Sequence, residues 1–285
     1  MASGRVLGGF VFLGKMGFMS SRDHQGPDRK RGDLLEAFAA YDLWSFLAWQ
    51  DIKIKYRRSK IGPFWITLSM AIFCVALGMV YSRLFKTQVA ELLPFLSIGL
   101  VVWGLISSCI GEMPNLFVDN APYMKDMRIN PLIILLRALT RNLIVFGHNL
   151  LIVVGIYLFF GIWPGWPMLL AIPGLLLVML NLLAVSIPLS IVGARFRDLS
   201  QITQSMLQVV FFVTPIFWFP RLLAEGSWVI AANPMGYFID LVRSPLLGQL
   251  PNLLSFGVSL LTLLVSSIIA AWIYQSKSPR IAFWV

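Results

Sequence analysis

The chain has 285 residues, of which 58% are hydrophobic and only 13% are charged, and its mean hydropathy is +0.79. Soluble domains carry charge at about a quarter of their positions, so this composition excludes a water-soluble protein. The apolar residues come in long blocks, which predicts an all-α integral membrane protein.

The residues that precede the first long apolar block divide into two parts. Residues 1–32 hold a short apolar stretch without a cleavage site, then the polar run DHQGPDRKRGD, which predicts a flexible cytoplasmic extension. Residues 33–60 are rich in aromatic side chains and end in a basic cluster, which is typical of an amphipathic helix lying in the membrane interface. A simple anchor for the first span is the alternative. The residues predicted to hold this helix in the interface are Trp49, Tyr56, Arg57 and Arg58.

Six apolar blocks follow in residues 61–285, each close to the length of about 20 residues that crosses a bilayer as a helix. Several of the blocks contain proline, which membrane helices tolerate. The predicted spans are 64–84, 92–111, 143–163, 168–193, 202–219 and 253–274.

The positions of the basic residues predict the orientation. Lys and Arg accumulate on the cytoplasmic side of membrane proteins, and six spans place both termini on the same side. All of the 23 basic residues except Arg83, Lys86, Arg221 and Arg243 then fall on the side of the termini. We therefore expect cytoplasmic termini. The net charge of +10 is explained by topology and does not call for a nucleic-acid partner.

Several classes of function lack their residues in this sequence. No GxxxxGK[ST] phosphate loop is present, and no Cys/His cluster has metal-ligand spacing, so we expect no cofactor on this chain. The spans hold few ionisable groups, which disfavours a proton- or sodium-coupled carrier. A membrane-bound enzyme would have to use the loop carboxylates Glu112, Asp119 or Asp126.

Three strings carry a resemblance to a known family: WQDIKIKYRRSKIGPFW at 49–65, ARFRDLSQITQSMLQVVFFVTPIFW at 194–218 and NPMGYFIDLVR at 233–243. In this order and spacing they resemble the type-2 ABC exporter permeases that move O-antigen, capsular polysaccharide or teichoic acid. The resemblance covers residues 34–285. It implies a homodimer in the bacterial cytoplasmic membrane that pairs with two copies of a separate ATPase subunit, which holds the ATP and magnesium.

The resemblance also assigns two cytoplasmic contacts to the ATPase. PYMKDMRINP at 122–131 resembles the coupling helix of the family, with Lys125, Asp126 and Arg128 available for charge-assisted contacts. A solvated loop is the alternative. The second contact is formed by Arg195, Arg197 and Asp198, which also fit a positive-inside anchor with a local ion pair.

Residues 220–252 lie between the last two predicted spans and are too apolar for a free external loop. Such a segment fits re-entrant structure sheltered by protein or by a water-filled cavity. The resemblance implies two re-entrant helices that close an external gate, with Asn233, Pro234 and Arg243 at the matching positions. A helix on the membrane surface, anchored by Trp228 and Tyr237, is the alternative.

The path of a carbohydrate cargo is predicted from aromatic and polar side chains within the spans. Aromatic faces contact the apolar side of sugar rings while polar groups bind the hydroxyls. The polar candidates His148, Asn149, Gln204 and Gln208 equally fit bonds between helices. The aromatic candidates are Tyr81, Trp103, Phe211, Phe212, Phe217 and Trp218.

The sequence as a whole predicts the permease subunit of an ABC exporter for a lipid-linked polysaccharide of O-antigen or capsular type. Within the same family, the alternatives are a permease for teichoic acid, a small lipid or a drug. Outside it, the alternatives are a membrane-bound enzyme of glycan assembly, which would depend on loop carboxylates, and a passive scaffold, which would tolerate changes at Arg195 and Arg197.

Overall fold

A computed structural model describes residues 27–55, 57, 62, 64–127, 129–220 and 232–285, and these residues form helices and connecting turns without a strand. Two 3₁₀ turns lie at Trp166–Leu170 and Ser278–Arg280. In chain order the helices are α1 (Pro27–Ala39), α2 (Tyr41–Lys55), α3 (Phe64–Leu84), α4 (Val89–Asp119), α5 (Ala121–Lys125), α6 (Pro131–Phe160), α7 (Ala171–Arg195), α8 (Leu199–Val213), α9 (Pro234–Leu246), α10 (Leu253–Lys277) and α11 (Ile281–Trp284).

Helix α4 is the centre of the bundle. Of its most apolar 18 residues, 78% are buried inside the protein, against 11% for α3 and 17% for α10. The helix is apolar on every side, as expected for a helix that other helices surround. It packs against α3, α6, α7, α8 and α9. Because α3 and α10 leave most of their apolar side chains uncovered, they form the periphery of the bundle.

Asparagine side chains fix the starts of three helices. The Oδ1 atoms of Asn130, Asn233 and Asn252 accept hydrogen bonds from the backbone N–H two residues later, at 2.9–3.0 Å. In the first two cases the next residue is proline, whose fixed φ suits the first helical position. The Asn-Pro dipeptides therefore set the starts of α6 and α9.

Two glycines allow α7 to approach its neighbours closely. A Cβ atom added at Gly193 would collide with the backbone of Pro114 in α4, and one added at Gly174 would collide with the carbonyl oxygen of Leu241 in α9. Small residues of this kind let helix backbones come together within membranes. Helix α7 is thereby locked between the central helix and α9.

Five helical segments are long and apolar enough to cross a membrane. The predicted spans at 64–84 and 253–274 agree with α3 and α10, and the span predicted at 168–193 agrees with the 3₁₀ turn and α7 together. The other two segments, α4 and α6, are longer than predicted. As a result the predicted loop between them shortens to residues 120–130.

The predicted span at 202–219 differs most from the structure. Helix α8 has 15 residues and ends at Val213, so by its rise it is about 22 Å long, short of a hydrocarbon core of about 30 Å. Thr214 is extended, with ψ 135°, because the following Pro215 disfavours helical geometry in the residue before it. Six membrane crossings therefore remain a prediction.

The predicted interface helix at 33–60 forms two helices, α1 and α2, which meet at Ala40. Helix α1 already begins at Pro27, within the segment predicted as a flexible extension. On α2, Trp49 is exposed and the ammonium group of Lys53 lies 5.6 Å from the centre of its ring. Arg57 is exposed. Tyr56 and Arg58 lie outside the described residues, and so do residues 1–26.

A polar contact joins α7 to α10 inside the apolar bundle. The Asn181 amide donates to the carbonyl oxygen of Ser259 at 3.1 Å and accepts from the Thr262 hydroxyl at 3.0 Å. Interhelical hydrogen bonds of this kind contribute about 0.6 kcal/mol on average.

We expect Asn181→Leu to lower the free energy of unfolding by about 1 kcal/mol, because it removes both interhelical bonds. Thermal unfolding of the detergent-solubilised protein measures this change. Ser266→Ala on the partner helix α10 is the control, since the Ser266 hydroxyl donates within its own helix, to the carbonyl oxygen of Leu263. Equal unfolding temperatures for the two variants would contradict the prediction.

Candidate functional site

An open cleft with a volume of about 1310 Å³ lies on one side of the bundle. Its walls come from α2, α3, α4, α6 and α8. It therefore brings the predicted interface helix, the central helix and the short helix α8 around one space.

The cleft wall combines aromatic faces with uncharged polar groups. Trp103 on α4 and Phe211 on α8 are in ring contact, with centroids 5.7 Å apart. The Gln204 amide donates to the carbonyl oxygen of Gly111 at 3.1 Å, which fixes α8 against α4. The other uncharged polar residues of the described lining are Ser69, Ser107, Ser108, Asn142, Gln201, Ser205 and Gln208.

A charged network lies at the end of the cleft nearest α2. Both guanidinium nitrogens of Arg137 that face Asp51 donate to its carboxylate, at 2.8 and 2.5 Å. Arg141 donates to Asp51 at 3.3 Å and also to Glu112 on α4. The Asn142 amide donates to the other oxygen of Glu112 at 2.5 Å. The network therefore ties α2 to α6 and α4.

The sequence does not predict this network, because the predicted spans leave its residues on α4 and α6 in a loop. The predicted spans at 92–111 and 143–163 leave Glu112, Arg137 and Arg141 in the loop between them. The structure corrects this placement, since Glu112 lies within α4 and both arginines lie in the first turns of α6. Arg137 and Arg141 are four residues apart, so they share one face of the helix. That spacing, inside PLIILLRALTRNLIVF, was the available signal.

Most of the predicted channel aromatics form one chain of ring contacts. Beyond Trp103 and Phe211, the chain continues through Phe212 and Phe217 to Tyr81, with centroids 5.1–6.2 Å apart. Trp103 and Phe211 line the cleft, whereas Phe212, Phe217 and Tyr81 are outside its lining, and Phe212 is exposed.

The remaining channel candidates lie in other surroundings. Trp218 is half-buried in the non-helical segment after α8. Gln204 and Gln208 line the cleft, but His148 and Asn149 do not. The His148 ring is 6.3 Å from the ring of Phe64 on α3, which connects α6 to α3, while its Nδ1 atom is 2.8 Å from the carbonyl oxygen of Ile144 within α6.

The first predicted coupling segment contains the short helix α5. Lys125 and Asp126 are exposed at its end, while Met124 is buried. The Tyr123 ring lies 5.2 Å from the guanidinium carbon of Arg137, which connects α5 to the charged network. Arg128 lies outside the described residues.

The second predicted coupling segment meets the C-terminal helix α11. Arg195, Arg197 and Asp198 are all exposed. The Arg195 guanidinium lies 5.5 Å from the Trp284 ring, and Arg197 donates to the Trp284 carbonyl oxygen at 3.4 Å. Helix α11 also contacts α5. The two predicted coupling segments are thus joined through the C-terminal helix.

We expect Ile281→Asp to loosen both predicted coupling segments together. Ile281 is 1% exposed and holds α11 in place, so a carboxylate there would release the helix from α5 and α7. Hydrogen exchange should rise at least tenfold in α5 and in residues 195–198, which corresponds to about 1.4 kcal/mol. Phe283→Asp is the control because Phe283 is 87% exposed. Unchanged exchange in either segment of the Ile281 variant would contradict the prediction.

The three predicted gate residues surround the non-helical segment Thr214–Phe219. The Asn233 amide donates to the Thr214 hydroxyl at 2.8 Å, and Pro234 begins α9. Arg243 is buried, donates to the Pro215 carbonyl oxygen at 2.6 Å and lies 3.9 Å from the Phe95 ring centre. Helix α9 therefore supports the point where α8 ends. Residues 221–231, which contain Trp228, lie outside the described residues.

The three carboxylates considered for an enzyme do not form a common site. Glu112 is paired with Arg141 in the cleft, while Asp119 is exposed at the end of α4, seven residues further along. Asp126 is exposed beyond α5. Within the described ranges, no group of three or more His, Cys, Asp or Glu side chains is arranged to hold a metal ion.

Comparison with known proteins gives a family match over most of the bundle. The model of the ABC-2 type transporter family matches residues 42–247. The chain is 23% identical to the O-antigen export system permease protein RfbA of Myxococcus xanthus over 244 residues, which cover 83% of this chain and 92% of that protein. Two O-antigen export system permease proteins RfbA of Klebsiella pneumoniae are 22% identical over 244 residues, covering 85% of this chain and 94% of each relative.

Proposed function

The chain belongs to the ABC-2 type transporter family, and from this membership we propose that it is the membrane-spanning permease subunit of an ATP-driven exporter. The cargo in this proposal is a lipid-linked polysaccharide of O-antigen or capsular type. The permease moves it outward across the bacterial cytoplasmic membrane, and both termini face the cytoplasm. Translocation makes and breaks no bond in the cargo.

The cleft is the observation that carries the proposal. Trp103 and Phe211 offer aromatic faces, while Gln204, Gln208 and the serines of α4 offer groups that both donate and accept hydrogen bonds. This combination suits sugar rings, which present apolar C–H faces and hydroxyl edges. The similarity to O-antigen export permeases supports the same cargo class.

The proposed drive comes from a partner chain. Two copies of an ABC ATPase subunit, which hold ATP and magnesium, bind a homodimer of this chain at its cytoplasmic face. The proposed contacts are Lys125 and Asp126 at the end of α5, and Arg195, Arg197 and Asp198 at the end of α7. These side chains are exposed, and α11 contacts both segments. Closure of the ATPase dimer would move both contacts and open a path along the cleft.

The proposed external gate is α9 with the segment that it supports. A short helix that holds a non-helical segment through buried polar contacts can change position without exposing its backbone to lipid. Asn233 and Arg243 supply those contacts here. Because Asn233 and Arg243 lie beyond the end of α8, the proposed gate is at the opposite end of the bundle from α5.

Co-purification with the ABC ATPase encoded beside this gene tests the proposal. We expect a stable complex in mild detergent whose ATP hydrolysis falls at least fivefold when Lys125, Asp126 and Arg128 are replaced by alanine. The matched control replaces Arg83, Lys86 and Glu91 by alanine, which also removes two cations and one carboxylate. These residues lie near the end of α3 and the start of α4, whereas α5 follows the end of α4. A well-folded protein that binds no ATPase would contradict the proposal and favour the membrane enzyme.

A further inference from the structure

The charge balance of the cleft bears on whether its ligand is a neutral polymer or one that carries phosphate. The similarity to the family does not distinguish between these two kinds of polymer. Its lining contains two carboxylates, Asp51 and Glu112, and two cations, Lys55 and Arg141. Among the residues that the structure describes, the lining therefore has no net formal charge. Arg141 is already bonded to both carboxylates, so its donors are directed at the protein.

The rest of the described lining is uncharged. The amides of Gln201, Gln204 and Gln208 and the hydroxyl groups of four serines supply donors together with acceptors. Sugar hydroxyls have the same dual character and can satisfy such groups in either direction. A phosphate only accepts, and strong phosphate sites use arginine, lysine or clustered backbone N–H groups.

The polar side chains of α8 form a continuous row along the cleft. The row begins at Gln201, continues at Gln204 and Ser205 and ends at Gln208. The intervals are three or four residues, so these side chains share one face of the helix. The row rises by about 10 Å from its first residue to its last. Trp103 and Ser107 on α4 lie among the facing groups. This length of wall can contact several groups of an extended chain at once.

We propose that the cleft binds an uncharged glycan chain and discriminates against a polymer that carries a phosphate in each repeat unit. This inference rests on the proposed export function and narrows its cargo class. A phosphate chain would bring negative charge beside Asp51 and Glu112, and the described part of the lining has no surplus of cations to compensate for it. A neutral chain meets aromatic faces and dual-character polar groups throughout the cleft.

Binding of two size-matched probes to the detergent-solubilised complex with the ATPase tests the inference. The probes are a neutral mannose oligomer and a glycerol phosphate oligomer, compared by calorimetry at the same ionic strength. We expect the neutral oligomer to bind at least tenfold more tightly, and Trp103→Ala to weaken its binding at least fivefold.

Placing a lysine in the cleft wall should reverse the preference in part. We expect Gln208→Lys to strengthen binding of the glycerol phosphate oligomer about tenfold, because the lysine ammonium donates a charge-assisted hydrogen bond to a phosphate and the neutral Gln208 amide does not. Gln201→Lys is a second variant at an exposed position of the same row. The control is Gln249→Lys, since Gln249 is exposed after α9 and outside the cleft lining.

Tighter or equal binding of the glycerol phosphate oligomer to the unchanged protein would overturn the inference and leave the export proposal standing. A complex that binds neither oligomer overturns the inference as well. If a small amphiphile then changes the rate of ATP hydrolysis by that complex and a lipid-linked glycan does not, the proposed cargo is contradicted as well.

Discussion

Replacing Arg243 by methionine is expected to lower the free energy of unfolding by about 3 kcal/mol. The substitution leaves the carbonyl oxygen of Pro215 without its donor in a buried position. A hydrogen bond from a charged group contributes about 1.5–3 kcal/mol, and a desolvated cation over an aromatic ring about 2 kcal/mol. Methionine keeps much of the volume, so the loss reports the guanidinium itself. Thermal unfolding in detergent measures the effect.

The Arg243 prediction has a graded control. Arg243→Lys retains a positive charge but cannot both reach the Pro215 carbonyl oxygen and cover the Phe95 face with a planar group, so it should restore less than half of the loss. Arg83→Met removes an exposed arginine at the end of α3 and should change stability by less than 0.5 kcal/mol. The account is contradicted if Arg243→Met and Arg83→Met behave alike.

The Asp51→Ala variant should detach α2 from the bundle. Asp51 accepts both close hydrogen bonds of Arg137 and one from Arg141, and side-chain exposures of 14–28% place the group at the edge of the interior. Removing one partner of a buried ion pair costs about 3–5 kcal/mol, and partial exposure reduces this to about 2 kcal/mol. Hydrogen exchange of residues 41–55 should rise about 30-fold.

Charge exchange distinguishes the ion pair from simple packing by Asp51. The double variant Asp51→Arg with Arg137→Asp should recover part of the protection that either single variant loses. Asp42→Ala in the first turn of the same helix is the control, because Asp42 is exposed. Absence of recovery in the double variant, or an equal effect of Asp42→Ala, would be incompatible with an ion pair that holds α2.

Hydropathy alone predicted the helices at the periphery of the bundle. The bounds of α3 and the start of α10 coincide with the predicted spans, because both helices are mostly apolar and polar residues lie close to these bounds. The end of α8 was missed because Thr214–Phe219 remains apolar after the helix stops. Pro215 was the local signal, but proline also occurs inside α7 at Pro188, so its effect depends on the surrounding contacts.

The sequence predicted the types of residue in the candidate site better than it predicted the contacts between them. Aromatic and amide side chains at Trp103, Phe211 and Gln204 were identified, and the structure brings them into one cleft. The bonds of Asp51 to Arg137 and Arg141 join residues about 90 positions apart, and a single sequence does not encode such pairing in its local pattern. The contact of α11 with α5 was missed for the same reason.

Transport into sealed, inverted membrane vesicles tests the central claim most directly. The vesicles contain this chain with its ATPase partner, and a labelled lipid-linked neutral glycan is added on the exposed cytoplasmic side. We predict that ATP makes a growing fraction of the label resistant to an added glycosidase, and that a non-hydrolysable ATP analogue does not. Equal resistance without ATP, or in vesicles that lack this chain, would contradict the assignment as an ATP-driven glycan exporter.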